Sequence, residues 1–179
     1  MISFAFFAFI GQALCGWLLA DFIGGLLHWW EERIGKPTNR WIDKWVLEPN
    51  DLHHTDPMDF TKTPFWARNS TTFIAAGVIS VIWLWLFGPS VVWFFATFGG
   101  MMMNEVHLWT HKRQGGWIEV FQKTGVIQSG RSHAVHHKPP QNRNFCILTD
   151  WLNPILEKLK FWQRLERALR IKPRKSSDQ

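Results

Sequence analysis

The chain has 179 residues, a length typical of one domain, and 46% of them are hydrophobic, with 13 Trp, 15 Phe and no Tyr. Its two cysteines, Cys15 and Cys146, lie far apart without a C-x-x-C pair, which argues against a disulfide framework or a cysteine zinc module. The net charge is +6, and the segment from Arg131 onward carries eleven Lys or Arg against four Asp or Glu. A basic end suits nucleic acid or an anionic membrane surface, and the apolar segments favour the membrane.

The first predicted element is a spanning helix. Residues 2–20 are uncharged and long enough to cross about 30 Å of hydrocarbon, and we extend this span to about 2–30. A cleaved signal peptide is the alternative. Such a peptide has a basic residue ahead of its apolar run, whereas no Lys or Arg precedes Arg33.

The motif DFIGGLLHWWEE lies at the end of this span. On a helix, four of its residues share one stripe: Asp21, Gly25, His28 and Glu32. Glycine on that stripe leaves room for the close approach of another helix. An ionisable residue near the end of a span, such as Asp21, is costly and usually functional.

Three later motifs carry the remaining histidines. NDLHHTDP contains His53 and His54, and its Asp56 is either functional or an ordinary turn residue before proline. NEVHLWTH places His107 and His111 on one helix face, without the H-E-x-x-H spacing of zinc proteases. SHAVHHKPP adds a third group: His133, His136 and His137.

A second uncharged stretch, residues 69–104, is too long for one crossing. Gly88-Pro89 interrupts it, because proline breaks a helix and glycine permits a turn. We predict spans at about 71–87 and 90–110, with an interfacial aromatic belt near the turn formed by Trp83, Trp85 and Trp93.

The charge distribution predicts the orientation. All 20 Lys and Arg fall on one proposed face, since none precedes Arg33 and none lies between Arg68 and Lys112. The positive-inside rule makes that face cytoplasmic. We predict one domain, 1–179, that is an all-α integral membrane protein with about three spanning helices and a cytoplasmic histidine-rich helical cap. A soluble protein with long buried helices is the alternative.

The tail, about 157–175, has apolar residues at helical spacing between basic ones: Leu159, Trp162, Leu165 and Leu169. This pattern predicts a basic amphipathic helix on an anionic leaflet. A helix packed on the protein's own surface is the alternative.

All eight histidines fall on the proposed cytoplasmic face. Converging imidazoles repel one another when protonated, and metal ligation keeps them neutral. A single catalytic zinc uses about three protein ligands, so this number favours a pair of metals. All-imidazole ligation suits iron, copper or zinc rather than magnesium or calcium.

The order of five motifs resembles the plasmanylethanolamine desaturase (Kua) family, which also includes a bacterial plasmalogen-forming branch and the plant plastid palmitate desaturase. The match runs from Asp21 to about Arg167. Its residues are Asp21, Gly25, His28 and Trp29; His53, His54, Asp56 and Pro57; Asn104, His107, Trp109 and His111; His133, His136, His137 and Pro140; and FCILTDWLN from Phe145.

The resemblance implies a membrane lipid desaturase with two iron ions and O2 as co-substrate. The expected ligands are His28, His53, His54, His107, His111, His133, His136 and His137, with no catalytic residues beyond them. Four polar residues are expected to orient imidazoles or occasionally to ligate: Asp21, Glu32, Asp56 and Asn104. Two departures stand out: Glu32 replaces the Asp of many relatives, and a spanning segment upstream in longer relatives is expected to be missing.

The expected substrate is an alkyl ether phospholipid, and the product is the vinyl ether of a plasmalogen. The electron donor is a separate cytochrome b5-like or ferredoxin-like protein. The alternatives are an acyl-chain desaturase or a hydroxylase at the same site, and a non-catalytic metal-binding membrane protein or metal transporter. A transporter places ionisable groups inside its spans, and residues 69–104 contain no charge and no histidine.

Overall fold

A computed structural model describes residues 4–34 and 40–171, and within these ranges the chain is helical with no strand. A π-helical turn (Asp43–Leu47) joins the second and third α-helices, and a 3₁₀ turn (Phe60–Lys62) precedes the fourth. In chain order the α-helices are α1 (Phe4–Arg33), α2 (Arg40–Ile42), α3 (Glu48–Thr55), α4 (Phe65–Phe87), α5 (Val91–His111), α6 (Gly116–Thr124), α7 (Gly130–His136), α8 (Leu152–Lys158) and α9 (Phe161–Ala168).

Small residues allow α1 and α5 to pack closely and parallel. A Cβ added at Gly16 would meet the backbone carbonyl of Val92, and one added at Gly99 would lie 2.8 Å from the Cβ of Ala20. Because contact positions advance together along both helices, the histidine-bearing ends of α1 and α5 lie at the same end of the bundle.

The fourth helix runs antiparallel to α5. The predicted break at Gly88-Pro89 is confirmed, since α4 ends before Gly88, whose φ is +73°, and Ser90 caps α5 by accepting from Trp93 N. At the other end, Arg68 and Asn69 donate to Glu105 Oε1 at 2.6 and 2.7 Å, which ties the two helices together.

Two helices, α1 and α4, are long and apolar enough to cross a membrane. In the most apolar 18-residue stretch of each helix, only 22% of α1 and 11% of α4 is buried, whereas a core helix of a soluble protein is mostly buried. Large side chains on these helices are exposed, including Phe4 (89%), Ile74 (67%) and Trp85 (83%). These apolar surfaces suit contact with lipid and indicate a membrane protein. The third predicted span corresponds to α5, which lacks this signal.

The tail is not the single helix predicted for about 157–175, and its contact with a leaflet stays a prediction. The segment forms α8 and α9, separated by Lys160 in the left-handed region at φ +49°. Trp162 is buried, with its ring 5.0 Å from Phe145 and 6.2 Å from Trp29. The apolar side of α9 therefore packs on the protein itself, which is the alternative stated above, and residues 172–175 lie outside the described part of the chain.

Candidate metal centre

Four helices bring the eight histidines to one end of the bundle. Their side chains, with one carboxylate, fall into two groups whose donor atoms within each group lie within 4.8 Å of one another. The five-histidine cluster contains His53, His107, His111, His133 and His137, and the Glu32 cluster contains His28, Glu32, His54 and His136.

In the five-histidine cluster the Nε2 atoms converge. His107 Nε2 lies 2.9 Å from His53 Nε2 and 3.0 Å from His133 Nε2. His133 Nε2 also lies 2.9 Å from His137 Nε2. An imidazole nitrogen carries either one proton or one lone pair, so these contacts cannot all be ordinary hydrogen bonds. A cation between the nitrogens would accept their lone pairs, and the donor set therefore fits a metal.

In the Glu32 cluster a single carboxylate oxygen meets three imidazoles. Glu32 Oε1 lies at 2.6, 2.7 and 2.8 Å from the Nε2 atoms of His28, His54 and His136. These groups are shielded from solvent: Glu32 is 3% exposed and His136 is fully buried. The carboxylate forms part of this cluster.

Backbone carbonyls orient two rings of the Glu32 cluster. His28 Nδ1 donates to Phe145 O at 3.0 Å, and His136 Nδ1 donates to Arg143 O at 2.9 Å. With their proton on Nδ1, the neutral rings direct Nε2 lone pairs at the carboxylate oxygen. Lone pairs facing an anion repel it unless a proton or a metal ion lies between them. The Glu32 cluster therefore also fits a metal.

Three imidazoles outside the spans are held neutral, those of His53, His133 and His137. Burial, and then neighbouring imidazoles, lower the pKa values of His53 and His133 well below the usual value for histidine. The same causes lower the pKa of His137 to about 3. Because ligation requires neutral imidazole, these side chains are ready to bind a metal at neutral pH.

The structure places the hydrogen bonds of Asp21 on the loop around Leu148 rather than on a histidine. Instead of contacting an imidazole, its carboxylate accepts from Leu148 N at 2.8 Å and from Thr149 N at 3.1 Å and Oγ1 at 2.6 Å. It anchors the loop that contains Phe145, the acceptor for His28. Gly25 likewise makes room for this loop rather than for a helix, since an added Cβ would lie 2.7 Å from Cys146 Sγ.

The hydrogen bonds of Asn104 and Asp56 likewise go to backbone groups rather than to imidazoles, and their roles at the metal centre stay predictions. Asn104 donates to Arg68 O at 2.6 Å and so joins α5 to α4. Asp56 is exposed and accepts from Met58 N at 3.2 Å, which makes it the turn residue of the alternative interpretation. Their partners are backbone groups brought near by the fold or the local turn, which spacing between motifs does not indicate.

Sequence reasoning missed other contributors to the site. The carbonyls of Arg143 and Phe145 are backbone groups and leave no signature in residue type. Phe60 was also missed, and its ring lies 4.8 Å from His107 and 5.5 Å from His53. The FCILTDWLN motif was the available signal for the loop.

Comparison with known proteins gives a family match over nearly the whole chain. The lipid desaturase domain matches residues 17–177. Mouse plasmanylethanolamine desaturase 1 is 32% identical over 86% of this chain and 62% of its own length. A probable fatty acid desaturase of Acanthamoeba polyphaga mimivirus is 30% identical over 91% of this chain and 85% of its own length. The Myxococcus xanthus plasmanylethanolamine desaturase is 29% identical over 89% of this chain and 60% of its own length.

The chain thus spans less than two thirds of the length of the mouse and Myxococcus relatives. No solved structure matches it.

Proposed function

This chain belongs to the lipid desaturase family, and we propose that it is a membrane oxidoreductase that uses O2 to introduce a double bond into a phospholipid chain. The observation that carries the proposal is the pair of adjacent histidine clusters at one end of an apolar helical bundle. The family expected from the five sequence motifs is confirmed.

We propose that each cluster holds one iron. The ligands of one ion are the five imidazoles of the five-histidine cluster, and those of the other are the donors of the Glu32 cluster. When bound, the two irons would supply the activation of dioxygen. The carboxylate of Glu32 adds one negative charge to its site, whereas the five-histidine cluster offers neutral donors alone.

The residues of the chain orient the donors and limit access of water. The carbonyls of Arg143 and Phe145 fix two imidazoles, and Asp21 holds the loop that carries Phe145. The ring of Phe60 covers one side of His107. Fixed rings avoid reorganisation during the reaction, and a dry site limits unproductive reduction of oxygen.

The proposed substrate is an alkyl ether phospholipid, and the proposed product is a plasmalogen. Two hydrogens leave adjacent carbons beside the ether oxygen, and a carbon–carbon double bond forms. One O2 is reduced to two waters with these two hydrogens plus two electrons and two protons. The electrons come from a separate donor of the cytochrome b5 or ferredoxin class. Support comes from two relatives named plasmanylethanolamine desaturases.

A second candidate is desaturation of an acyl chain at the same site. It is favoured by the viral relative named a probable fatty acid desaturase, of which this chain covers 85%. A hydroxylase would use the same donors and leave one oxygen in the lipid.

Lipid analysis separates these functions. We expect that cells expressing the chain accumulate a phospholipid two hydrogens lighter, which acid hydrolysis converts to an aldehyde as a vinyl ether requires. A loss of two hydrogens from an acyl chain would favour the second candidate, and a gain of one oxygen would favour the hydroxylase. An unchanged lipid profile, with an electron donor co-expressed, would contradict all three.

We also propose three crossings, with α5 as the third, and a cytoplasmic metal centre. In a Cys15→Ala background, burial raises the pKa of the remaining Cys146 thiol and suppresses its labelling. Arg131→Cys should then react only when the reagent enters the cytoplasm, and Ser90→Cys should react from outside intact cells. Labelling of both positions from one side would rule out this topology.

A further inference from the structure

A groove separate from the histidine clusters runs between the three long helices. Its volume is about 70 Å³, and its walls come from α1, α4 and α5. Its lining is almost entirely apolar and includes Leu27, Thr72, Ala76, Ser80, Ala96 and Gly100. The groove lies alongside exposed positions of the bundle, since Leu27 is 42% exposed and Ile79 is 38% exposed.

Small residues create the space. Ala76 and Gly100 face each other, and a Cβ added at Gly100 would lie 3.1 Å from the Cβ of Ala76. Ala20, Ala75 and Ala96 line adjacent positions. Larger apolar side chains, which are more usual on such helices, would fill this space.

The groove is in helical register with the candidate metal ligands. Gly24 and Met103 line the end of the groove nearest the metal centre. Gly24 lies four residues before His28 on α1, and Met103 lies four residues before His107 on α5. Residues four apart share a helix face and are separated by about one turn of 5.4 Å. The flexible thioether side chain of Met103 lies against Gly24 at this end of the groove.

Two indoles line the opposite end. Trp83 and Trp93 face the groove, and Trp93 Nε1 donates to Ser80 Oγ at 2.8 Å, which fixes that ring. Met103 follows Trp93 by ten residues, so the groove extends about 15 Å along α5.

We infer that this groove holds the hydrocarbon chain of the lipid substrate, with its reacting end at Met103 and its distal end at Trp83 and Trp93. The inference rests on the proposed function. Three observations favour a hydrocarbon chain as the occupant: the apolar lining, the lipid-exposed flank and the shared register with His28 and His107. The two indoles would then limit the chain length that the protein accepts.

A paired substitution tests whether the groove is occupied. Ala75 lines the groove, whereas its neighbour Ile74 points away and is 67% exposed. We expect that Ala75→Phe lowers turnover of the longest accepted chain by at least about tenfold relative to Ile74→Phe, since small volume changes in apolar pockets have effects of this size. Trp83→Ala should shift the product profile toward longer chains.

A measurement independent of turnover separates this inference from the proposed function. A phospholipid with a photoactivatable diazirine at the end of its chain is incorporated into vesicles with the purified protein and irradiated. We expect crosslinks at residues near Trp83 and Trp93 in the unmodified chain and in Ile74→Phe, and their loss in Ala75→Phe. Equal labelling in all three proteins, or labelling confined to outward-facing residues, would overturn the inference. Groove labelling without any desaturated product would overturn the proposed function alone.

Discussion

The two histidine clusters differ in charge and in the way their rings are held. The five-histidine cluster has neutral donors alone, and the Nε2 atoms of four of its histidines form a chain of contacts at 2.9–3.0 Å. The Glu32 cluster has one carboxylate among three imidazoles, two of which donate to backbone carbonyls. A negative ligand stabilises a more highly charged cation, so the two sites should differ in metal affinity.

The comparison also teaches which residues are replaceable. The five-histidine cluster has one donor more than a four-ligand site needs, and His111 and His137 are only half-buried. The Glu32 cluster has three buried imidazoles around one carboxylate oxygen, so the loss of any one leaves buried groups unpaired. Damage to the Glu32 cluster should therefore have the larger effect.

The largest effect is expected for His136→Ala. This change removes a fully buried donor and leaves the Arg143 carbonyl without its partner. We expect loss of one iron and no detectable product, while the protein still inserts in the membrane. Iron analysis and product mass measure this, and full iron occupancy with normal turnover would refute the ligand assignment.

Glu32→Gln should have the next largest effect. It keeps the shape of the side chain but removes the negative charge opposite three imidazoles. We expect about one iron per chain and a fall in activity of about 10–100-fold, the range found when metal-site partners are lost. Glu31→Gln is the matched control, since Glu31 lies outside both clusters. Equal effects of the two changes would show that the carboxylate of Glu32 has no special role.

His137→Ala sharpens the comparison, because this residue is adjacent to His136 but belongs to the other cluster. Four imidazoles remain after the change, so we expect a smaller loss of iron and of turnover than for His136→Ala. Both variants are measured in parallel by iron analysis. A greater loss in His137→Ala would reverse the order of importance of the two clusters.

The smallest effect on the metals is expected for Asp21→Asn, which acts on the loop behind the Glu32 cluster. The change weakens hydrogen bonds to Leu148 and Thr149 and should lower the free energy of unfolding by about 1.5–3 kcal/mol. Asp56→Asn at an exposed turn should change it by about 0.5 kcal/mol or less. Denaturation in detergent measures both, and equal stability of the two variants would contradict the anchoring role.

The sequence predicted the meeting of the eight histidines because helical spacing and one-sided charge are local properties. It did not predict their division, since His136 and His137 are neighbours in the chain and enter different clusters. Glu32 was predicted as a partner of imidazoles, but its central position depends on helices distant in sequence. The four-residue spacing of His28 and Glu32 predicts that both lie on one face of the helix. It does not predict that His54 and His136 pack against that face.

Other errors have similar causes. The partners of Asp21 lie 127 and 128 residues away, so no local pattern identifies them. The amphipathic pattern of the tail indicated an apolar face but did not identify Trp29 and Phe145 as the partners of Trp162. Periodicity predicts that a face is buried without specifying what buries it.

The most direct test of the central claim is the metal content of the purified protein, loaded with Fe(II) under anaerobic conditions. We predict two irons per chain in the unmodified protein and about one in Glu32→Gln. One iron or none in the unmodified chain, or a strong preference for zinc in both clusters, would contradict the proposal that each cluster holds one iron.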